Sequence, residues 1–432
     1  MGLHDVFNIS RRLKLVAFSL LISEFVRSLG FNLYTISLPL MAQSMTSSTV
    51  LIGLAVSIYG FVSCTVQLPL GRFSDKHGRR GILLLSAFIY AAGALAIGFS
   101  ENIYEFIIFR ALQASGALMS VLQACLGDIF PAERRGAAMA WFSIVYAVGS
   151  IVGLPIGLVV AGFYGLHMPF YVGAILAFAA AAIMVIFLRE THPGKQKVTA
   201  SEQLTPAAEQ ETKTASQTPV MASQISTATP VLGLMRIKGF IPSCIVGTVV
   251  SAVMGAFFAF APSWLKSLGL DIFDMAWIFI PGMGIFFVGA FVSGVLSDRM
   301  GRKKPVMFGL AFGAPSAFVV IFLSKAPFIV MVPFVMVMML GVAISQPPLS
   351  ALVIDLVDKS IRGRATGIYN TLTVLGNASG ALIAGVVAMS TLGFYAIFLL
   401  AACLMGGGLV IGLILMPNKR KVTVQPNVQE SS

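Results

Sequence analysis

Apolar residues fill runs of about twenty positions along most of the chain, and short charged loops separate the runs. At about 1.5 Å of rise per residue, one such run crosses the ~30 Å hydrocarbon core of a bilayer as an α-helix. Taken in order, the runs predict twelve spans: 14–41, 50–70, 81–99, 104–127, 138–161, 168–188, 239–264, 275–296, 305–324, 327–351, 366–388 and 393–416. They lack the alternation over about ten residues that marks a membrane β-barrel. Helices also satisfy every backbone polar group within one segment, as lipid demands. The expected fold is therefore an all-α membrane protein.

One segment breaks the pattern. Residues 191–236 are rich in Ser, Thr, Gln, Ala and Pro, as in the run from Thr214 to Pro219. Such a composition cannot bury a core and reads as a flexible linker. It divides the chain into an N-terminal six-helix bundle (1–190), the linker (191–236), a C-terminal six-helix bundle (237–417) and a tail (418–432). With an even number of spans, both halves enter from the same membrane face, so a repeat between them is parallel rather than inverted.

Such a repeat is present. Gly71-Arg-Phe-Ser-Asp75-Lys-His-Gly78-Arg79-Arg80 returns 223 positions later as Gly294-Val-Leu-Ser-Asp298-Arg-Met-Gly301-Arg302-Lys303. Asp128 with Arg135-Gly136 returns 227 positions later as Asp355 with Arg362-Gly363. Gly149 and Gly153 return at the same interval as Gly376 and Gly380. Small residues four apart let helices approach closely. A charged loop repeated at matching places in two apolar halves indicates a duplicated membrane unit.

Composition agrees: 57% of residues are hydrophobic and 11% charged, against about 25% charged in a soluble domain. The net charge of +12 is not a nucleic-acid signal. Of 29 Lys and Arg, 25 fall in the N-terminus, the even-numbered loops and the C-terminal tail. The positive-inside rule then places both termini in the cytoplasm of a plasma-membrane protein. The first apolar run is too long for a cleaved leader and is expected to remain as a span. The four cysteines have no metal-ligand spacing, the four histidines avoid mid-span positions, and no phosphate-binding loop occurs. No cofactor or metal is expected, and neither an enzyme nor ATP-driven pumping is supported.

The twelve spans, the six-plus-six division, the central loop and the doubled motif together resemble the major facilitator superfamily over essentially the whole chain. Arg110-Ala-Leu-Gln113-Ala-Ser-Gly116-Ala117 in span 4 resembles a second motif of that family. In span 5, Gly149, Gly153 and Gly157 fit the glycines of an element found in its drug–proton antiporters. The proline, Pro155, comes one place late there, and Leu158 replaces the final glycine. The resemblance implies two parallel six-helix bundles that rock around a central site lined by spans 1, 4, 7 and 10.

Ionisable residues inside spans are the candidate chemistry. Glu24 and Arg27 lie near mid-span and three positions apart, hence on one helix face. A lone charge at that depth costs from about 2.5 to more than 10 kcal/mol, so this face must look into the bundle or a wet cavity. Glu24 reads either as a proton site or cation-recognising carboxylate, or as half of a structural ion pair with Arg27. The resemblance assigns Arg110 to proton coupling against span 1, near Asn32 and Tyr34; packing against backbone carbonyls is the alternative. Gln113 shares its face. In the C-terminal half no span carries a central charge; Gln346, before Pro347-Pro348, is a cavity contact or an interhelical hydrogen bond, and Asn370 and Asn377 read as packing. Phe257, Phe258, Phe260 and Trp264 offer an aromatic surface in span 7.

For the loops, the resemblance implies a cytoplasmic latch: Gly71 and Gly294 open the motif, Asp75 and Asp298 face a helix end of the other half, Gly78 and Gly301 turn, and Arg79 and Arg302 pair with Asp128 and Asp355. The expected function is secondary active transport, namely proton-coupled efflux of an amphipathic or cationic small molecule by a monomer. Uptake or exchange of an organic anion or metabolite through Arg27 and Arg110 is the alternative, and a polytopic membrane enzyme or a transporter-like sensor is a remote one.

Overall fold

The computed structural model describes residues 11–116, 119–130, 132–188, 234, 237–358 and 361–417. The linker 191–236, apart from Leu234, and the tail 418–432 lie outside the described residues, as does the side chain of Asp75. The described residues are predominantly α-helical, and eleven of the helices are long and apolar enough to cross a membrane.

The first span is α1 (Arg11–Leu33) followed, after a short turn, by α2 (Ser37–Met45). Next come α3 (Thr49–His77) and α4 (Arg79–Gly98). The fourth place is filled by α5 (Ile103–Ser115) and α6 (Met119–Ile129), each too short to cross alone. Then follow α7 (Ala132–Tyr164) and α8 (Met168–Phe187). The second half comprises α9 (Phe240–Ser267), α10 (Ile272–Met300), α11 (Lys303–Phe322), α12 (Phe328–Asp355), α13 (Arg362–Val387) and α14 (Tyr395–Leu415).

Local chemistry sets several ends. Asn102 Oδ1 accepts from the amides of Tyr104 and Glu105 and caps α5. Asp271 and Asp274 form a reciprocal capping box at the start of α10. The doubled motif is helical further than the hydropathy predicts. The spans expected at 50–70 and 275–296 continue to His77 and Met300 and stop only at Gly78 and Gly301. Those residues have φ of 99° and 89°, a region that glycine enters without steric cost. Their amides still bond to Ser74 and Ser297, each at 3.1 Å.

The two halves are built alike. α7 lies on α1 through Gly149, Gly153 and Gly157, which abut the carbonyls of Phe25, Leu29 and Leu33. α13 lies on α9 through Gly376 and Gly380, which abut those of Thr248 and Ala252. A Cβ at Gly149 would stand 2.9 Å from the Phe25 oxygen, so each crossing depends on the missing side chain. Lipid tails are as apolar as leucine, so this close packing, rather than water exclusion, holds such helices together. Exposed Trp277, Phe291, Ile186 and Ile414 lie on helix faces left to lipid.

The halves join at the end remote from Gly78 and Gly301. One apolar cluster there mixes Tyr34, Leu38 and Ile52 with Phe260, Ala381 and Ile397. Thr49 Oγ1 donates to the Gly385 carbonyl at 2.7 Å, and Phe273 packs edge-on to Phe163. The seal reaches mid-span, where Gly60 meets Ala378 and Cys64 Sγ lies 3.9 Å from the Thr371 carbonyl. At the motif end, by contrast, the cluster around Leu20, Leu126 and Phe142 draws on the first half alone.

Candidate functional site

Between the halves lies a cavity of ≈ 590 Å³, a size that holds a drug-sized ligand. The helices of spans 1, 4, 7 and 10 contribute, as the resemblance implies, and α3, α7, α10 and α13 contribute as well. Its body is apolar and aromatic, with Phe257, Phe258, Trp264, Phe279 and Phe286 on the side of the second half. Phe260, from the same aromatic run, is instead fully buried in the far-end cluster. Asn377, read from sequence as a packing residue, is exposed and lines the cavity.

Arg110 stands on the wall contributed by the first half, with 4% of its surface exposed. Its guanidinium carbon lies 4.5 Å from the Tyr59 ring centroid, 5.5 Å from that of Phe31 and 5.7 Å from that of Tyr34. Aromatic faces stabilise a desolvated cation by up to about 2 kcal/mol. Arg110 Nη1 donates to Gln113 Oε1, one turn on along α5. Gln113 Nε2 donates to Tyr34 Oη at 2.7 Å, and Tyr34 Oη lies 2.9 Å from Tyr90 Oη. Tyr34 is held by stacking on Phe170 at 4.9 Å. Asn32 also lines the cavity; its Nδ2 donates to the Ser28 carbonyl and to Ser150 Oγ rather than towards Arg110.

Glu24 and Arg27 are not on the cavity wall. Glu24 is fully buried, and Arg27 donates from Nε and Nη2 to its two carboxylate oxygens at 2.9 and 2.6 Å. Their face of α1 turns to α4 and α8: Arg27 lies over the Tyr90 ring at 5.9 Å, and Ser23 bonds to the Ala180 carbonyl. In this state each Glu24 oxygen accepts from Arg27, and Glu24 does not reach the cavity wall. The same Tyr90 joins the ion pair to the Tyr34–Gln113–Arg110 chain. Gln346 is likewise off the wall; its Nε2 donates to Ser251 Oγ at 3.3 Å and ties α12 to α9. Tyr59 and Tyr90, which sequence reasoning passed over, carried one usable signal: a phenol at mid-span needs a partner.

In the motif loops, Arg79 Nε lies 2.6 Å from Asp128 Oδ2. Arg302 reaches Asp355 at 3.0 Å, Asp298 at 2.7 Å and Ser297 Oγ at 2.8 Å. Each of these pairs lies within one half. Asp298 lies beside Arg302 of its own half.

The family model of the Major Facilitator Superfamily matches residues 20–378 and 288–431. The chain belongs to this superfamily. Multidrug resistance protein 2 of Bacillus subtilis is 25% identical over 94% of this chain and 96% of that protein. Multidrug resistance protein MdtG of Proteus mirabilis is 25% identical over 90% and 93%. The inner membrane transport protein YajR of Escherichia coli is 32% identical, but the match spans only 32% of this chain and 31% of that protein. Among solved structures, a D-xylose–proton symporter superposes with a TM-score of 0.72 at 18% identity, covering 93% of this chain and 98% of that one. A bacterial homologue of the human lysosomal transporter Spinster gives 0.70 at 16%, covering 94% and 96%. As a major facilitator, the chain is a multi-pass membrane transporter and not an enzyme.

Proposed function

We propose that the chain is a proton-coupled exporter of amphipathic small molecules that works by alternating access. One observation carries the reading: a buried ion pair, Glu24–Arg27, is joined through Tyr90, Tyr34 and Gln113 to Arg110 on the cavity wall. A change of charge at either end of such a chain alters the other, and coupling requires that property. The full-length likeness to two multidrug resistance proteins supports export. The distribution of Lys and Arg supports cytoplasmic termini. On that orientation the motif end is cytoplasmic and the structure is the state sealed on the outside.

Glu24 is the proton site in this reading, and Arg27 is its partner in the ion pair. The test is a proteoliposome assay with an imposed pH gradient and a panel of fluorescent amphipathic dyes. Glu24→Gln abolishes gradient-driven accumulation of dyes that the wild type accumulates, while equilibrium dye binding persists. Gradient-driven accumulation equal to wild type in Glu24→Gln overturns the assignment and leaves the pair a structural role.

A further inference from the structure

We propose that the preferred ligands of the central cavity are compounds with an aromatic body and an anionic head, a carboxylate or sulfonate, seated against Arg110. The proposal deepens the export reading by naming the substrate class, and it rests on that reading for the direction of transport.

The argument begins with charge. Among the described lining residues, Arg110 alone carries a formal charge, and no Asp or Glu joins it. A guanidinium stays protonated in any protein environment. Its protein neighbours compensate the charge only in part: three ring faces and the neutral Gln113 amide. Arg110 Nε is buried and has no hydrogen-bond acceptor. An unmatched buried donor on a cation is costly to leave unmade. The carboxylate that could neutralise it from within the spans, Glu24, has both oxygens on Arg27. The cavity therefore presents a net positive potential inside a low-dielectric wall, where such a potential is felt strongly.

Shape supplies the other half of the ligand. The second half contributes Phe257, Phe258, Phe279, Phe286 and Trp264 to the same cavity, and these suit a flat apolar body. Trp264 Nε1, also without an acceptor, adds a second unmatched donor from the opposite half. A ligand with its head on Arg110 and its body on the aromatic wall touches both halves at once, as a substrate that drives their rocking must. A compact cation, by contrast, meets a like charge and no carboxylate.

The experiment is equilibrium dialysis of purified full-length protein in detergent against three probes that share a naphthylmethyl body: naphthylacetate, naphthylmethanol and naphthylmethylammonium. The expected order is anion, then neutral, then cation, with at least tenfold between the first and last. Arg110→Gln reduces that ratio to within about twofold and leaves naphthylmethanol binding within about twofold of wild type; Arg110→Lys keeps the order. Binding of the ammonium probe as tight as or tighter than the carboxylate overturns the proposal, as does an anion preference that survives in Arg110→Gln. If Arg110→Gln does not purify as a folded protein, the wild-type order and Arg110→Lys decide. No gradient or turnover enters the measurement, so failure of proton-coupled export would leave this result standing, and the reverse holds too.

Discussion

Tyr34 and Gln113 are 79 positions apart in the chain and joined by a 2.7 Å hydrogen bond, with Gln113 Nε2 donating to Tyr34 Oη. That bond connects the turn after α1 to α5, and it is the middle link between the buried ion pair and the cavity. Tyr34→Phe removes the hydroxyl and with it the contacts to Gln113 and Tyr90, while the ring keeps its stack on Phe170. Loss of one such bond costs about 1 kcal/mol of stability. Gradient-driven transport is expected to fall at least tenfold, with probe binding changed by less than threefold. A wild-type rate in the same proteoliposome assay would remove Tyr34 from the coupling route.

Arg27 is expected to matter more for stability than Glu24. Arg27→Ala leaves a fully buried carboxylate without its cation, a change that costs about 3–5 kcal/mol. Glu24→Gln with Arg27→Ala leaves no unpaired carboxylate and should recover most of that loss. Thermal unfolding of the detergent-solubilised variants measures both. Additive effects of the two substitutions would show that the residues do not act as a pair.

Gly53 decides whether the far end can close. A Cβ there would stand 2.8 Å from the Ala381 carbonyl and 3.3 Å from Gly385 Cα, across the junction of the halves. Gly53→Leu should hold α3 away from α13 and favour the state open at that end. Spin labels at the exposed positions Ser47 and Thr391 report the separation. The expected result is a longer mean distance in the variant; an unchanged distribution would mean that the junction yields elsewhere.

Asp75 repeats as Asp298 in the motif, at the motif end where the apolar cluster draws on one half alone. A latch at this end would act in the opposite state of the cycle, with the motif end closed. Asp75→Asn should cut turnover at least tenfold while ligand affinity stays within about threefold, because the loop is remote from the cavity. Full turnover at normal expression would exclude a latch.

Interactions that run within one helix were legible in the residues. The Glu24–Arg27 pair follows from a spacing of three, whereas α3 and α10 end at His77 and Met300 rather than at the 70 and 296 that hydropathy predicts. The duplication was legible too, because Asp128 and Asp355, or Gly149 and Gly376, recur at one interval.

The azimuth of each helix was not legible. Glu24 turns to α4 and α8 rather than to the cavity, Gln346 turns to Ser251, and Asn377 faces the ligand space. Phe258 lines the cavity while Phe260, two positions on, is core. In a soluble helix the polar stripe marks the outward face. In a membrane helix the face against lipid and the face against protein are both apolar, so hydropathy determines where a span begins and ends but not which way it faces. Packing determines that, through close contacts such as Gly153 on Leu29 and Gly380 on Ala252, and those contacts exist only once the neighbouring helix is in place.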